Sequence, residues 1–335
     1  GYIVRRTLLG FLTIVIVSFF SYVIVQLPPG DQVDAYITQM FQTQGVPAGR
    51  SVRQMHALRE LWGLNRPLVV QWADWVWGIV SRGDFGQSYV QYMGSNEGRD
   101  IGETIRQYLP YTIYLTLFTT VITWVFAIPI GIYSAVRQNS IGDYVFTLLG
   151  FTGLAIPDFL LGLVLMYIAF AYFDQSVGGL FSAKYMGAPW NLDKALDMLN
   201  HLWIPALVLG TSGTAGLIRV LRNNLLDELG KPYVVTARAK GLGPLRTVLK
   251  YPVRVAINPL VSTVGYLLPS LVSGSIIVSV VLSLPTEGPL LLKSLYAEDM
   301  FVSATIVLLL GTLTVIGTLM SDILLGILDP RIRVS

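Results

Sequence analysis

The chain has no cysteine and only two histidines, His56 and His201, in 335 residues. It can build no disulfide framework, thiolate metal site or thiol nucleophile. A histidine-based metal centre needs more ligands than these two distant residues supply. Charge is scarce as well: 13% of residues are Asp, Glu, Lys or Arg, against about 25% in an ordinary soluble domain. The net charge of +3 is small, and the basic residues gather in particular loops, which membrane topology explains better than nucleic acid does. A nucleotide site is missing too. Gly288-Pro289-Leu290-Leu291-Leu292-Lys293-Ser294 lacks the second glycine and the strand–loop–helix setting that a phosphate cradle needs.

What is abundant is apolar sequence. Hydrophobic residues make up 53% of the chain and mean hydropathy is +0.61. Several uninterrupted apolar stretches reach the roughly 20 residues that a membrane-crossing helix requires. The pattern is that of an all-α integral membrane protein. We read six spans: Thr7–Leu27, Thr112–Tyr133, Tyr144–Phe173, His201–Leu221, Pro259–Leu284 and Val302–Ile327. The first follows Arg5 and Arg6 and is too long for the apolar core of a signal peptide, so it reads as a retained anchor. The third is too long for one straight crossing, and Pro157 divides it into pieces too short to cross alone, so a single span bent at Ile156-Pro157 is expected.

Loop charge sets the expected orientation. With the amino terminus inside, Arg5, Arg6, Arg137, the Arg219–Arg254 cluster, Arg331 and Arg333 all fall on the cytoplasmic side, and both termini are cytoplasmic. The chain then divides into a first helix (1–27), a large extracytoplasmic insertion (28–110) and a five-helix core (111–335). Helical spacing of Leu58, Leu61 and Leu64, and of Trp72, Trp75, Val76 and Ile79, makes the insertion partly helical, with Gly83, Gly86, Gly94 and Gly98 as turns. Six of the seven tryptophans (62, 72, 75, 77, 190, 203) lie in external loops or at outer span edges. An interfacial aromatic belt accounts for them; ring faces presented to a substrate or partner are the second reading.

The one substantial cytoplasmic loop, 223–258, reads as a helical hairpin. Pro232 can start its first helix and Gly241-Leu242-Gly243 can end it. Pro244 can start a second helix, with Leu245, Val248, Leu249, Val253 and Ile257 at helical spacing. Such a hairpin can lie among lipid headgroups on its basic residues, or insert its small face (Ala237, Ala239, Gly241) into a groove on another protein. Composition leaves both open.

The segment Tyr233-Val234-Val235-Thr236-Ala237-Arg238-Ala239-Lys240-Gly241-Leu242 resembles the signature loop of ABC importer permeases, in the form found in the dipeptide/oligopeptide branch. Val235 stands where the general motif has Glu, a departure that would weaken a polar contact to the ATPase, and Thr236 where it has the first Ala. Further resemblances run in order along the chain: Leu27-Pro28-Pro29-Gly30-Asp31, Trp62-Gly63-Leu64-Asn65-Arg66-Pro67, Gly83-Asp84-Phe85-Gly86-Gln87-Ser88, Ile156-Pro157-Asp158-Phe159, Ile204-Pro205-Ala206-Leu207 and Asp329-Pro330-Arg331. One stretch departs. Leu284-Pro285-Thr286-Glu287-Gly288-Pro289 replaces the family's Pro-Gly-x-Gly turn after the fifth span.

The resemblance implies a type I ABC importer-like permease that is not itself an enzyme. It would pair with a second homologous permease subunit above two cytoplasmic ATPase subunits, which bind ATP and Mg, and receive solute from an extracytoplasmic binding protein. The chain itself would bind no cofactor. Tyr233, Thr236, Ala237, Arg238, Ala239, Lys240, Gly241, Leu242 and Pro244 would couple to the ATPases. We expect Pro157, Gly265, Pro269 and Gly274 along the translocation path, because proline and glycine in membrane helices free backbone groups that need protein or water as partners; at Gly265 and Gly274 close helix packing is the equal alternative. The resemblance allows a peptide or an oligosaccharide as cargo. An ion-coupled secondary transporter is the alternative, with Asp158, Arg219 and Asp322 as its ionisable candidates, although each lies beside a break or near a span end. A non-transporting membrane scaffold is a third.

Overall fold

Caps and prolines in the sequence set where the helices begin and end. A computed structural model describes residues 2–27, 33, 56–57, 59–60, 63–88, 99–173, 175, 178–262 and 276–328. The first helix, α1 (Tyr2–Val25), carries the amino-terminal apolar run. Helix α2 (Leu68–Arg82) starts behind Pro67 and ends where Gly83 adopts φ +67°. A short antiparallel pair follows, β1 (Gln87–Ser88) with β2 (Arg99–Asp100). Asp100 Oδ1 then accepts the Gly102 N–H at 2.9 Å and opens α3 (Ile101–Val136). The strand pair has no signature in the sequence, and α3 begins earlier than the expected span start at Thr112.

Ser140 caps α4 (Ile141–Ala155), its hydroxyl accepting the Asp143 N–H at 3.2 Å. Proline disfavours the α conformation in the residue before it, and α4 accordingly stops ahead of Ile156-Pro157. Helix α5 (Asp158–Phe173) resumes at an angle of 104° to α4. The expected bend is therefore real, and nearer a right angle than a kink. Helix α6 (Leu192–Leu229) is capped by Asn191, which accepts the Lys194 N–H at 2.8 Å, and continues through Pro205. Three short helices follow, α7 (Pro232–Ala239), α8 (Pro244–Lys250) and α9 (Pro252–Ala256), each with proline in its first turn. The chain then forms α10 (Ile276–Val281), α11 (Glu287–Tyr296) and α12 (Met300–Leu328).

Four of these helices, at Val4–Val25, Ile101–Val136, Leu192–Leu229 and Met300–Ile327, are long and apolar enough to cross a membrane, and the bent pair α4–α5 can make a fifth. The fifth expected span, Pro259–Leu284, includes residues 263–275, so Gly265, Pro269 and Gly274 lie outside the described residues. Leu64 sits in a turn rather than a helix. Leu58, Leu61, Trp62, Gly94 and Gly98 are likewise outside the described residues.

Contacts divide the chain into two units. One holds Gly1–Ile3, Ile113–Leu284 and Ile316–Ser335. Its core joins Ala127 and Ala135 of α3, Leu217, Leu221 and Leu225 of α6, and Val248, Val253, Ala256 and Leu260. Gly131 and Gly210 let the helices close up: a Cβ on Gly131 would meet Leu221 at 3.0 Å, and one on Gly210 would meet Thr123 Oγ1 at 2.9 Å. The small-residue patch Gly210–Thr214 thus serves close helix packing.

The other unit holds Val4–Thr112 and Pro285–Val315. Ile101, Ile105, Leu290, Val302 and Ile306 form one cluster, and Tyr22, Trp75, Ala304 and Leu308 another. The Ser88 hydroxyl donates to the buried Asp299 carboxylate. Trp75 is buried and its Nε1 donates to Phe85 O at 3.3 Å, while Trp72 Nε1 donates to Ser18 Oγ at 3.1 Å. In the first unit, Trp203 Nε1 donates to Gln175 Oε1 at 3.2 Å, and Trp190 and Phe181 flank the buried Lys194 ammonium at 5.3 and 4.9 Å. These rings are tied into local packing, so the belt reading fits Trp77, exposed at 70%, better than the others.

Candidate functional site

The hairpin that carries the signature sequence is built as a turn with its ends fixed. Pro232 sets the first turn of α7, where its missing N–H costs nothing. At the other end Gly241 takes φ +79°. The Gly241 N–H donates to Arg238 O at 2.9 Å and the Leu242 N–H to Ala237 O at 3.4 Å. This pair of bonds is the Schellman termination, which needs a left-handed residue and so favours glycine. Thr247 is wholly buried, and its hydroxyl reaches Gly243 O at 3.0 Å and Leu242 O at 3.2 Å, locking the turn onto α8. Sequence reasoning gave Thr247 no role.

The two faces of the hairpin differ. Val234 and Ala237 are buried, as are Val248, Val253 and Ala256, which pack on Leu217, Leu221 and Leu225 of α6. Tyr233, Val235, Thr236, Arg238, Ala239, Lys240, Gly241 and Pro244 are exposed and Leu242 is half-buried. The small face expected from Ala237, Ala239 and Gly241 is therefore split, since Ala237 turns inward and the other two outward. The outward surface is apolar as well as basic: Val235 is 60%, Leu245 70% and Leu249 49% exposed. The expected second helix through Ile257 is broken at Tyr251, and Pro252 restarts it as α9.

Tyr233 and Glu228 tie the hairpin to the end of α6, the phenol donating to the carboxylate. Burial, then that bond and the adjacent negative charge, push the Tyr233 hydroxyl well above the ordinary tyrosine range. It stays a neutral donor at physiological pH.

The largest polar feature that the sequence did not reveal joins α4 to α6. Arg222 Nε donates to Asp143 Oδ1 at 3.0 Å and Nη2 to Oδ2 at 2.8 Å. Asp143 Oδ2 also accepts the Asn139 N–H at 3.0 Å. The bidentate fork and the backbone donor satisfy a carboxylate that is nearly buried. The one local signal was the capping pattern Ser140-Ile141-Gly142-Asp143; its partner lies 79 residues away. Of the other ionisable candidates, Asp158 occupies the first turn of α5 and Arg219 lies over the Phe151 ring at 4.9 Å. Pro157 is exposed at the α4–α5 break. Gly288 and Pro289 lie within α11, so that stretch is a helix rather than a phosphate loop.

Comparison with known proteins finds likeness along nearly the whole chain. Residues 1–116 match the family described as "Binding-prot-dependent transport system membrane comp, N-term". Similar relatives include the oligopeptide transport system permease protein AppB of Bacillus subtilis, 34% identical over 99% of both chains. The oligopeptide transport system permease protein OppB of Mycobacterium tuberculosis is 30% identical over 100% of this chain and 99% of its own. The dipeptide transport system permease protein DppB of Escherichia coli is 28% identical over 99% of this chain and 98% of its own. With residues 127–334 matching its model as well, the chain belongs to the family of binding-protein-dependent transport system inner membrane components.

Proposed function

We propose that this chain is one permease half of an ATP-driven peptide importer. It pairs with a second homologous permease, stands on two cytoplasmic ATPases that bind ATP and Mg, and takes its cargo from an extracytoplasmic binding protein. It crosses the membrane six times with both termini inside. The observation that supports this most is the end-to-end likeness to permeases named for oligopeptide and dipeptide transport. The hairpin supports it too, since its turn is closed by backbone hydrogen bonds, its buried side joins the core cluster that includes α6, and its outward side is exposed, apolar and basic. Those names favour peptide over oligosaccharide, and nothing observed favours ion coupling.

In the mechanism that follows, closure of the ATPase pair on ATP displaces the α7–α8 turn. The Val248–Ala256 packing passes that displacement to α6, and the spans exchange their inward and outward openings. Pro157, Gly265, Pro269 and Gly274 border the path. To test the function, the assembled complex and its binding protein are reconstituted, and ATP hydrolysis and uptake are measured with oligopeptides and with oligosaccharides. Peptides are expected to stimulate both. Stimulation by oligosaccharides alone would overturn the cargo assignment.

Topology is tested by single cysteines in a chain that has none of its own. Ser88 and Thr247 are buried and would label poorly whatever their side, whereas Arg82 and Arg246 are exposed. Arg82→Cys is expected to react with an impermeant maleimide in intact cells, and Arg246→Cys only after permeabilisation. Reaction of both in intact cells would refute the proposed orientation.

A further inference from the structure

The stretch Thr286-Glu287-Gly288 holds a buried acid. Glu287 is 0% exposed at the start of α11. Its backbone N–H donates to Thr112 Oγ1 at 3.0 Å, and the Thr112 hydroxyl is within 3.3 Å of Tyr108 O on α3. Neither carboxyl oxygen of Glu287 has a hydrogen-bond partner among the described residues, and the buried Thr286 hydroxyl has none either. A carboxylate in the first turn of a helix is ordinarily favoured by the helix dipole. An unpaired buried charge costs more than the dipole returns, and burial pushes this carboxyl up to about 7.

Among the described residues, the titratable groups on the surrounding elements do not offset that cost. On α11, Lys293 and Tyr296 are exposed; on α3, Glu103 and Arg106 are exposed, while Tyr108 and Tyr111 are half-buried. Asp84 and Asp100, on either side of the strand pair, are exposed and accept the Gly86 and Gly102 N–H groups. At the head of α12, Glu298 is exposed, and the buried Asp299 accepts from the Ser88 hydroxyl and the Val302 N–H.

We propose that Glu287 is a proton-operated latch on α11: neutral, it stays packed beside Thr112 of α3, and ionised, it must leave, opening the first turn of α11. This goes beyond the transport reading, and the exchange measurement below needs no cargo. The sign follows from linkage. The closed arrangement holds the proton more tightly than the open one, so its stability is intact below about 4.5, the ordinary value, and is lost as pH rises through about 7. Over the full range the closed-to-open ratio falls by on the order of a few hundred-fold.

The test is hydrogen exchange of peptides covering Glu287–Tyr296 in the assembled complex in lipid nanodiscs, corrected for the intrinsic pH dependence of exchange. Between pH 5.5 and 8.5, wild-type protection is expected to fall roughly thirty-fold, while peptides from the middle of α12 stay flat. Glu287→Gln and Glu287→Leu are expected to keep α11 protected throughout. If the glutamine amide impairs assembly, the leucine variant, which buries no polar group, is the one read. Flat wild-type protection, or the same fall in an assembled variant, overturns the proposal. A wild-type fall shared by α12 also overturns it, because a latch on one helix would not loosen both.

Discussion

Replacing Gly241 with valine leaves the chain inserted in the membrane but removes substrate-stimulated ATP hydrolysis by the assembled complex. An added side chain at Gly241 meets nothing within 4 Å, so the effect is conformational rather than steric. The residue's φ of +79° lies in the left-handed region, which costs an ordinary residue roughly 1–2 kcal/mol and a β-branched one more. Valine relieves that strain by unwinding the Schellman turn, so the bonds from Gly241 N to Arg238 O and from Leu242 N to Ala237 O are lost. Asparagine tolerates the left-handed region, so Gly241→Asn is expected to keep most of the stimulation. The assay is ATP hydrolysis by reconstituted complexes with and without loaded binding protein. Wild-type stimulation in the valine variant would show that the turn's geometry is not what couples the subunits.

A small change at the turn has this reach because of where the hairpin is anchored. Thr247 fastens the turn to α8 through two backbone carbonyls. Val253 and Ala256 bring α9 against α6 in a cluster with Leu217, Leu221 and Leu225, and Val248 ties α8 into the same cluster. Close-packed interiors transmit displacement rather than absorb it. A push on Ala239 or Lys240 therefore arrives at α6, whereas an unwound turn would yield locally.

Features set by local chemistry were legible in the sequence. Pro232, Pro244 and Gly241 mark helix ends because ring closure or a missing Cβ restricts or frees φ at those positions. The break at Pro157 could be predicted for the same reason. Long-range pairing could not. Nothing near Asp143 names Arg222, and nothing near Ser88 names Asp299. The tryptophans could not be sorted from the sequence, because a position at a span edge is shared by belt residues and by rings that hydrogen-bond within the chain. Trp72 and Trp75 are separated from Trp77 only by helical phase on α2. The split of the expected second coupling helix at Tyr251-Pro252 was there to be read, since Pro252 lacks the N–H that a continuous helix needs; the apolar spacing across it outweighed the proline.

Removing one member of the α4–α6 ion pair is expected to destabilise the chain more than any surface change. Asp143 is 4% and Arg222 23% exposed at the side chain. Arg222→Ala strands a buried carboxylate that loses both guanidinium donors and keeps the Asn139 N–H, and Asp143→Ala strands the guanidinium. Breaking a buried pair from one side costs about 3–5 kcal/mol, whereas replacing both partners with apolar residues of similar volume is often neutral. The expected result is therefore non-additive. Arg222→Ala and Asp143→Ala each lower the unfolding temperature in nanodiscs, while the double variant Asp143→Leu with Arg222→Met recovers most of the loss. The same series separates two roles for the pair. If it only holds α4 against α6, the apolar double variant regains stimulated ATP hydrolysis along with stability. If the fork must open and close as α6 moves, stability returns without stimulation. Single variants as stable as wild type would mean that the pair contributes little, and that the apolar contacts between α4 and α6 suffice.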